Sequence, residues 1–504
     1  MANRVSTQNL LLFSVLVVAT CGLIYELIAG TLASYLLGDS ITQFSTIIGV
    51  YLFSMGIGSW LSKFFTRNLL SWFIQIEILV GLIGGLSSSI LFILFEFVSS
   101  FQIVLYGLVM LTGILVGLEI PLIMRILKDE FDFTDLVSKV FTFDYIGALL
   151  ASLIFPLVLV PQLGLIKTSM LFGILNVGVA IILCYRLNYL SAWFKILRQI
   201  GFAALVILLI GFVLSEKIMQ FSEGLSYQEP VIFAKSSPYQ RIVLTRNRKE
   251  LRLYLNGNLQ FSSADEYRYH EALVHPILQQ TPNQSKILIL GGGDGLALRE
   301  VLRYASVSEV VLVDLDAQIT HLFSTNSLLT KLNDNSFANP KVKLYNADAF
   351  QWLKSNTTRF DAIIIDFPDP SNYSVGKLYS QSFYKLLQKC MHENTMVVVQ
   401  STSPLVAPKS FWCVNKTMES TGFKTFPYHA FVPSFGEWGF IMAGKNQPKL
   451  PTEIKNIPMR FLNNQTLTAM AIFPKDMEQQ DTDINKLNNQ MLVHYFEKEW
   501  SVYQ

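Results

Sequence analysis

The chain has 504 residues, 51% of them hydrophobic, with a formal net charge of +2. That length is too great for one ordinary domain, and a near-neutral charge without basic runs or aromatic–basic stripes gives no sign of a nucleic-acid partner. The four cysteines show no CxxC pair and no metal-ligand spacing, so neither a zinc site nor a disulfide framework is expected. Residues 10–215 then read as successive apolar runs of about 20 residues, the length that spans a bilayer. Seven helices are expected near 10–37, 42–65, 71–95, 101–127, 138–160, 164–186 and 199–215. The first run is too long for a secretion signal, and more spans follow it. Gly22, Gly30, Gly56, Gly58, Gly84 and Gly85 suit close helix packing in lipid.

Glu26, Glu119 and Asp144 lie inside these runs. A carboxylate at membrane depth is costly and marks a pathway, a ligand or a buried partner such as Arg125. Positive residues crowd the N-terminus and the second, fourth and sixth loops, among them Arg4, Lys63, Arg67, Lys128, Lys139, Lys195 and Arg198. By the positive-inside rule the N-terminus is cytoplasmic; seven spans then place the remaining chain on the opposite side, and a count different by one places it on the same side.

Beyond the apolar half the composition is that of a soluble protein. Residues 231–261 alternate as strands do, with turns at 246–250 and Asn256-Gly257, giving a small antiparallel domain. Strands and helices then alternate. "KILIL", "VVLVDLD", "VKLYNAD", "FDAIIID" and "TMVVVQS" are strands, with helices at 295–304, 317–331 and 379–392. This is the pattern of a Rossmann-like, doubly wound α/β sheet. Residues 483–500 space their apolar positions as one amphipathic helix. The expected organisation is a transmembrane domain at 1–220, a β-hairpin domain at 221–275, a catalytic domain at 276–445 and a helical extension at 446–504.

Doubly wound sheets bind ligands at the carboxyl ends of their strands. Acidic residues stand at those ends: Asp294 in "GGGDG", Asp314, Asp348, and Asp366 with Asp369 in "DFPDP". Asp314 follows Asp294 at the spacing of a ribose-binding acid, and Asp348 is placed to accept from an adenine amino group. Together with the glycine loop they suggest an adenosine ligand. A carboxylate inside the loop repels phosphate. It also repels the tail of S-adenosylmethionine, but it pairs with the ammonium of the decarboxylated form.

The motifs "SPYQ" (237–240), "LNGNLQ" (255–260), "DEYRYHE" (265–271), "GGGDG" (291–295), "VDLD" (313–316), "NADAF" (346–350) and "DFPDP" (366–370) resemble, in order, those of the polyamine aminopropyltransferases, the spermidine synthase family. The apolar half resembles the family's membrane-embedded branch. The resemblance implies transfer of an aminopropyl group from decarboxylated S-adenosylmethionine to putrescine or a similar amine, giving spermidine and methylthioadenosine. It assigns Asp366 as the base. It assigns Gln240, Asp314, Asp348 and Ala349 to the donor, and Tyr269, His270, Asp294 and Asp369 to the amine. It implies no metal and no cofactor beyond the donor substrate, a multi-pass position in the cell membrane and a homo-oligomer. The family's tyrosine near the acceptor is missing from "HAFVPSFGEWGF" (429–440), leaving Tyr428 or Trp438 to compensate. A methyltransferase on the same sheet and a non-catalytic polyamine transporter or sensor are the competing readings. Asp294 and "DFPDP" argue against the first, and the intact acid set argues against the second.

Overall fold

The computed structural model describes residues 2–37, 40–98, 100–186, 192–227, 229–455 and 457–502. The chain forms two compact units, Met1–Pro238 and Tyr239–Gln504.

The first unit holds helices α1 (Ala2–Leu37), α2 (Ser40–Leu61), α3 (Leu69–Phe97), α4 (Phe101–Leu127), α5 (Phe133–Ile154), α6 (Val160–Arg186) and α7 (Ala192–Ser226), then strand β1 (Val231–Ser236). Six stretches among the described residues are long and apolar enough to cross a membrane, and the fifth of them, Phe133–Arg186, is 54 residues long. A π-helical segment, Phe155–Leu159, joins α5 to α6, and Gly164, at φ 72° and ψ 175°, breaks the stretch. The chain folds back there. Gln8 donates to Glu130 at 2.9 Å and Thr20 to the Gly147 carbonyl at 3.3 Å, so α5 runs beside α1 in the same direction. In contrast, α6 runs against α3: Ser88 meets the Leu165 carbonyl, and Gly81 meets Gly173 and Val177. Glycine sets several of these close approaches. A β-carbon at Gly58 would strike the backbone of α4, and one at Gly84 would strike the Tyr25 ring. Gly56, expected at such a contact, has nothing near its open side.

The second unit begins with an antiparallel meander of β2 (Arg241–Asn247), β3 (Glu250–Leu255) and β4 (Asn258–Ser262). Asn256 and Gly257 turn between β3 and β4 with φ of 51° and 81°, the two left-handed positions of a tight hairpin. Helix α8 (Glu266–Gln280) leads to β5 (Lys286–Gly291), α9 (Leu296–Leu302), β6 (Glu309–Asp314), β7 (Val342–Asn346), β8 (Phe360–Asp366), β9 (Met391–Gln400), β10 (Lys424–Val432) and β11 (Gly436–Gly444). The sheet order is β10-β11-β9-β8-β5-β6-β7. The central five strands are parallel, while β11 runs antiparallel to β9 and β10 antiparallel to β11. Both faces are covered. Leu288, Leu290, Ile363 and Ile365 pack on one layer, and Ile287, Ile289, Ala362 and Ile364 on the other. This double burial is why the strands read as unbroken apolar runs.

Three expectations change. The expected helix 317–331 is two helices, Ala317–Thr325 and Ser327–Leu332, because the Asn326 side chain accepts from the Leu328 N–H and starts a second one. The β10–β11 hairpin is new. Among the described residues beyond the sheet lie the α-helices Asn464–Met470 and Met491–Trp500 with a 3₁₀ turn at Lys475–Met477 between them, rather than one helix spanning 483–500.

Candidate active site

Chain order places β6 on one side of β5 and β8 on the other, so a crevice opens at their carboxyl ends. The glycine loop fills its floor. Gly292 donates to the Asp366 carbonyl at 3.2 Å, and a β-carbon at Gly291 would collide with that same oxygen. Gly293 donates to Asp314 Oδ2 at 3.0 Å, and a β-carbon there would lie 2.6 Å from it. Asp294 Oδ1 accepts the Leu296 N–H at 2.9 Å as α9 starts. The loop is therefore tied by backbone N–H groups to the ends of both neighbouring strands.

The acids gather around it. The Tyr269 hydroxyl donates to Asp366 Oδ1 at 2.6 Å. Burial pushes the Asp366 carboxyl up to about 6, against the pull of His270 and the Tyr269 hydrogen bond, with Asp294 adding to the rise. Burial also raises Asp294, opposed by His270. Asp314 rises to about 6 through burial, although the Asp316 and Gly293 N–H groups stabilise its charge. Asp369 rises to about 7 for the same leading reason. One of its oxygens meets Thr402 Oγ1 at 3.4 Å, and the other is buried without a partner among the described residues. Several carboxyls held up in this way form a pocket that favours a cation.

His270 is the positive element. Burial works against its charge, but Glu266 Oε2 at 2.8 Å from Nδ1 outweighs it, and Asp294 and Asp366 add to the rise, to about 9. Glu266 is itself gripped by Arg299 through two bonds of 3.0 Å. His270 thus lies between that ion pair and the loop acids.

The donor-side residues spread further. Gln240 donates to Asp316 Oδ2 at 2.9 Å, two residues beyond Asp314. Asp348 starts the helix Ala349–Ser355 by accepting the Gln351 N–H at 3.1 Å, and Ala349 is buried behind it. Burial opposes the Asp348 charge, but Lys377, 2.6 Å away, lowers the carboxyl overall. The partners of Asp348 are therefore Lys377 and its own helix, while Tyr269 bonds Asp366 and packs its ring against His270.

Residues 266–453 match the model of the spermine/spermidine synthase domain. A polyamine aminopropyltransferase from Leptospira interrogans is 51% identical over 494 residues, covering 98% of this chain and 99% of that one. Polyamine aminopropyltransferase 2 from Ralstonia nicotianae is 52% identical over 506 residues, covering 97% and 98%. This chain belongs to the polyamine aminopropyltransferase family. The crystal structure of spermidine synthase from Thermotoga maritima aligns with a TM-score of 0.44 at 23% identity, over 54% of this chain and 88% of that one. Membership sets the chain among enzymes, not among methyltransferases or non-catalytic sensors.

Two features of the enzyme's site were not read from the sequence. Gln400 donates to the Phe367 carbonyl at 2.5 Å and to the Tyr379 hydroxyl at 2.8 Å, and accepts from the Trp438 indole at 3.2 Å. It braces the "DFPDP" loop from behind. Thr402, with φ 54°, holds a backbone conformation that β-branched residues avoid, and its hydroxyl faces Asp369. Nothing in "QSTSP" marks either role. Neither Tyr428 nor Trp438 replaces the missing acceptor-side tyrosine. Tyr428 is fully buried with its hydroxyl on the Ala272 carbonyl, and the Trp438 N–H is taken by Gln400. The segment instead sets Phe435 6.3 Å from the Tyr269 ring, and Ser434 is anchored to Asp265 by bonds of 2.7 and 3.0 Å.

Proposed function

We propose that the enzyme moves the aminopropyl group of decarboxylated S-adenosylmethionine to a primary amine, putrescine first, releasing spermidine and S-methyl-5'-thioadenosine. The observation that carries this reading is the bond from Tyr269 to Asp366 at the end of β8, whose carbonyl also holds the glycine loop that carries Asp294. Asp294 takes the ammonium of the donor tail. Asp314 and Gln240 lie on the nucleoside side, with Asp348 and Ala349 at the base. Asp369 and His270 line the path of the acceptor.

The acceptor amine has a pKa near that of lysine, about 10, so it enters protonated. Asp366, titrating about 6, is ionised at neutral pH and accepts a proton from it. The freed nitrogen lone pair attacks the aminopropyl carbon next to the sulfonium. The new C–N bond forms as the C–S bond breaks, and its electron pair stays on sulfur as a neutral thioether. The sulfonium needs no further activation, so the remaining contribution is alignment and exclusion of water. The Phe435 and Phe440 rings around Tyr269 serve the latter.

The same reading sets the helical unit in the cell membrane as a multi-pass anchor, supported by its apolar helices, and the enzyme as a homo-oligomer. The test is purified full-length protein given decarboxylated donor and a panel of putrescine, cadaverine, agmatine and spermidine, with methylthioadenosine release as readout. Release with putrescine fastest supports the proposal. Turnover of intact S-adenosylmethionine instead would overturn it.

A further inference from the structure

The helical unit has six long apolar stretches but seven helices, because Phe133–Arg186 carries both α5 and α6. The difference matters. An odd number of crossings puts the chain beyond α7 on the side opposite the N-terminus, and an even number puts it on the same side. Contacts within the unit fix the direction of every helix.

Three pairs run side by side in the same direction. Along α2 and α4, Gln43 meets Tyr106 at 3.5 Å, Ser54 meets Gly113, Met55 meets Gly117, and the Ser62 carbonyl accepts from Arg125 at 2.9 Å. Along α3 and α7, Ser71 accepts from Trp193 at 3.0 Å, Ile78 meets Gly201 and Gly85 meets Leu208. The third pair is α1 and α5, joined through Gln8 with Glu130 and Thr20 with Gly147.

Other pairs run in opposite directions. Tyr51 of α2 donates to the Gly22 carbonyl of α1 at 2.8 Å, and Phe44 meets Gly30. Between α6 and α7, Lys167 meets Glu216 at 2.7 Å, Met170 meets Gly211 and Ile181 meets Gly201. Phe95 at the end of α3 lies 5.1 Å from Phe101 at the start of α4. At the other end of α4, Arg125 bonds the Phe65 carbonyl, and the Phe65 ring lies 4.9 Å from Trp72 at the start of α3. With α6 already running against α3, helices α1, α3, α5 and α7 point one way and α2, α4 and α6 the other. The π-helical join is therefore a reversal between two spans of 22 and 27 residues, each long enough to cross a bilayer.

The two ends of this bundle differ. The end holding the N-terminus gathers Lys63, Arg67, Arg125, Lys128, Lys195 and Arg198. Exposed aromatic rings accompany them. Lys63 sits 4.2 Å over Trp60 and Arg198 4.8 Å over Tyr185, the amphipathic pairing of a membrane–water boundary. The opposite end has Lys167, which is paired with Glu216, and Lys217. By the positive-inside rule the basic end faces the cytoplasm. Helix α7 starts there and ends at the other face.

We propose that the chain beyond α7, with its catalytic acids, lies on the non-cytoplasmic side of the membrane. Aminopropyl transfer then takes place outside the cytoplasm. The amine is met there, and the donor, the product of a decarboxylation, must be delivered to that side. The proposal rests on the reading that sets the helical unit in the membrane, and its test separates side from activity.

The experiment uses the full chain in cells and in sealed vesicles. The native cysteines Cys21, Cys184, Cys390 and Cys413 are buried, so the unmutated protein gives the background for a membrane-impermeant maleimide. Thr66→Cys reports the basic end, Ser100→Cys the opposite end and Glu478→Cys the second unit, all at exposed positions. In intact cells Ser100→Cys and Glu478→Cys are expected to be labelled, and Thr66→Cys only after permeabilisation. Glu478→Cys labelled only after permeabilisation, or labelled in company with Thr66→Cys, overturns the proposal. The unmutated enzyme decides the side even if a variant fails to fold. Decarboxylated S-adenosylmethionine and putrescine are cations and do not cross a sealed, de-energised bilayer. Added outside right-side-out vesicles, they are expected to release methylthioadenosine at the rate seen after detergent. Added outside inverted vesicles, they are expected to release it only once detergent is present. The reverse pattern overturns the proposal. Absence of release even in detergent would count against the transfer reading alone, and labelling would still decide the side.

Discussion

The Tyr269 phenol donates to Asp366 Oδ1 at 2.6 Å, and this bond joins α8 to the end of β8. It stabilises the ionised carboxylate, so it holds the Asp366 carboxyl lower than burial alone would set it. Tyr269→Phe removes that help. The acid limb of kcat/KM for methylthioadenosine release is expected to move up by about one pH unit, the worth of one charge-assisted hydrogen bond. A pH–rate series on the variant checks this. An unmoved limb would mean that another group titrates there.

Asp366→Asn keeps the volume, the bond from Tyr269 and the backbone carbonyl that holds Gly292. It removes the negative charge and, with it, the capacity to take a proton. Turnover is expected to fall by about 10²–10⁴-fold, the contribution of a positioned base. Methylthioadenosine affinity, measured by calorimetry, stays near that of the unmutated enzyme. Near-normal turnover would route the proton elsewhere.

Asp294→Asn separates charge from shape. The asparagine oxygen still accepts the Leu296 N–H that Asp294 accepts at 2.9 Å, so the start of α9 survives. On the proposed reading the variant loses an ion pair with the donor's ammonium, worth roughly 1.5–3 kcal/mol, or about ten- to hundredfold in donor affinity. Methylthioadenosine carries no tail amine and is expected to bind almost unchanged. Equal losses for both ligands would show that Asp294 only shapes the loop.

Gly293→Ala tests the loop itself. The added carbon would sit 2.6 Å from Asp314 Oδ2 and displace the acid that Gly293 now bonds at 3.0 Å. Both donor and methylthioadenosine affinity are expected to fall together, in contrast to Asp294→Asn, while the unit stays folded by circular dichroism.

The sequence made the long-period features readable. Apolar runs placed α2 to α6 within about six residues at each end, while α1 starts eight residues earlier and α7 extends seven and eleven residues beyond its expected ends; acids at strand ends marked Asp294, Asp314 and Asp366, because hydrophobic period and loop chemistry are local. What it hid depends on tertiary meeting. Glu77 lies in "FIQIEILV", where nothing distinguishes it from Glu26, and only the packing of α3 buries it fully. Lys377 and Asp348 are 29 residues apart in the chain and 2.6 Å apart in space. The β10–β11 hairpin escaped notice because "FPYHAFVPSFGEW" mixes aromatic and turn residues without clean alternation.

The last expectation concerns pH and stability. His270 titrates at about 9 in the folded unit against an ordinary 6.5, because Glu266 holds its proton. A value raised on folding gives stability that is complete below the unfolded value and is lost as pH climbs through the folded one. For His270 that window runs from 6.5 to about 9. Asp314 and Asp366, raised to about 6, and Asp369, raised to about 7, act in the same direction at lower pH, since each folded carboxyl holds its proton longer than the unfolded chain does. Glu266, Glu300 and Asp348, whose carboxyls the fold holds lower, act in the opposite direction at acid pH, so the ligand-free unit is expected to weaken from neutral to alkaline pH, with His270 accounting for roughly 3 kcal/mol across its own window. Native-state hydrogen exchange at Leu288, Ile289 and Leu290, buried in the central strand β5, reports opening of this unit within the full chain. His270→Gln is expected to flatten the fall in the opening free energy between neutral and alkaline pH. Glu266→Gln is expected to flatten the same window and, by stranding Arg299, to lower stability by about 3–5 kcal/mol at every pH. A stability that rises between neutral and alkaline pH in the unmutated protein would mean that His270 is neutral in the fold and that the acids beside it are balanced by some other charge.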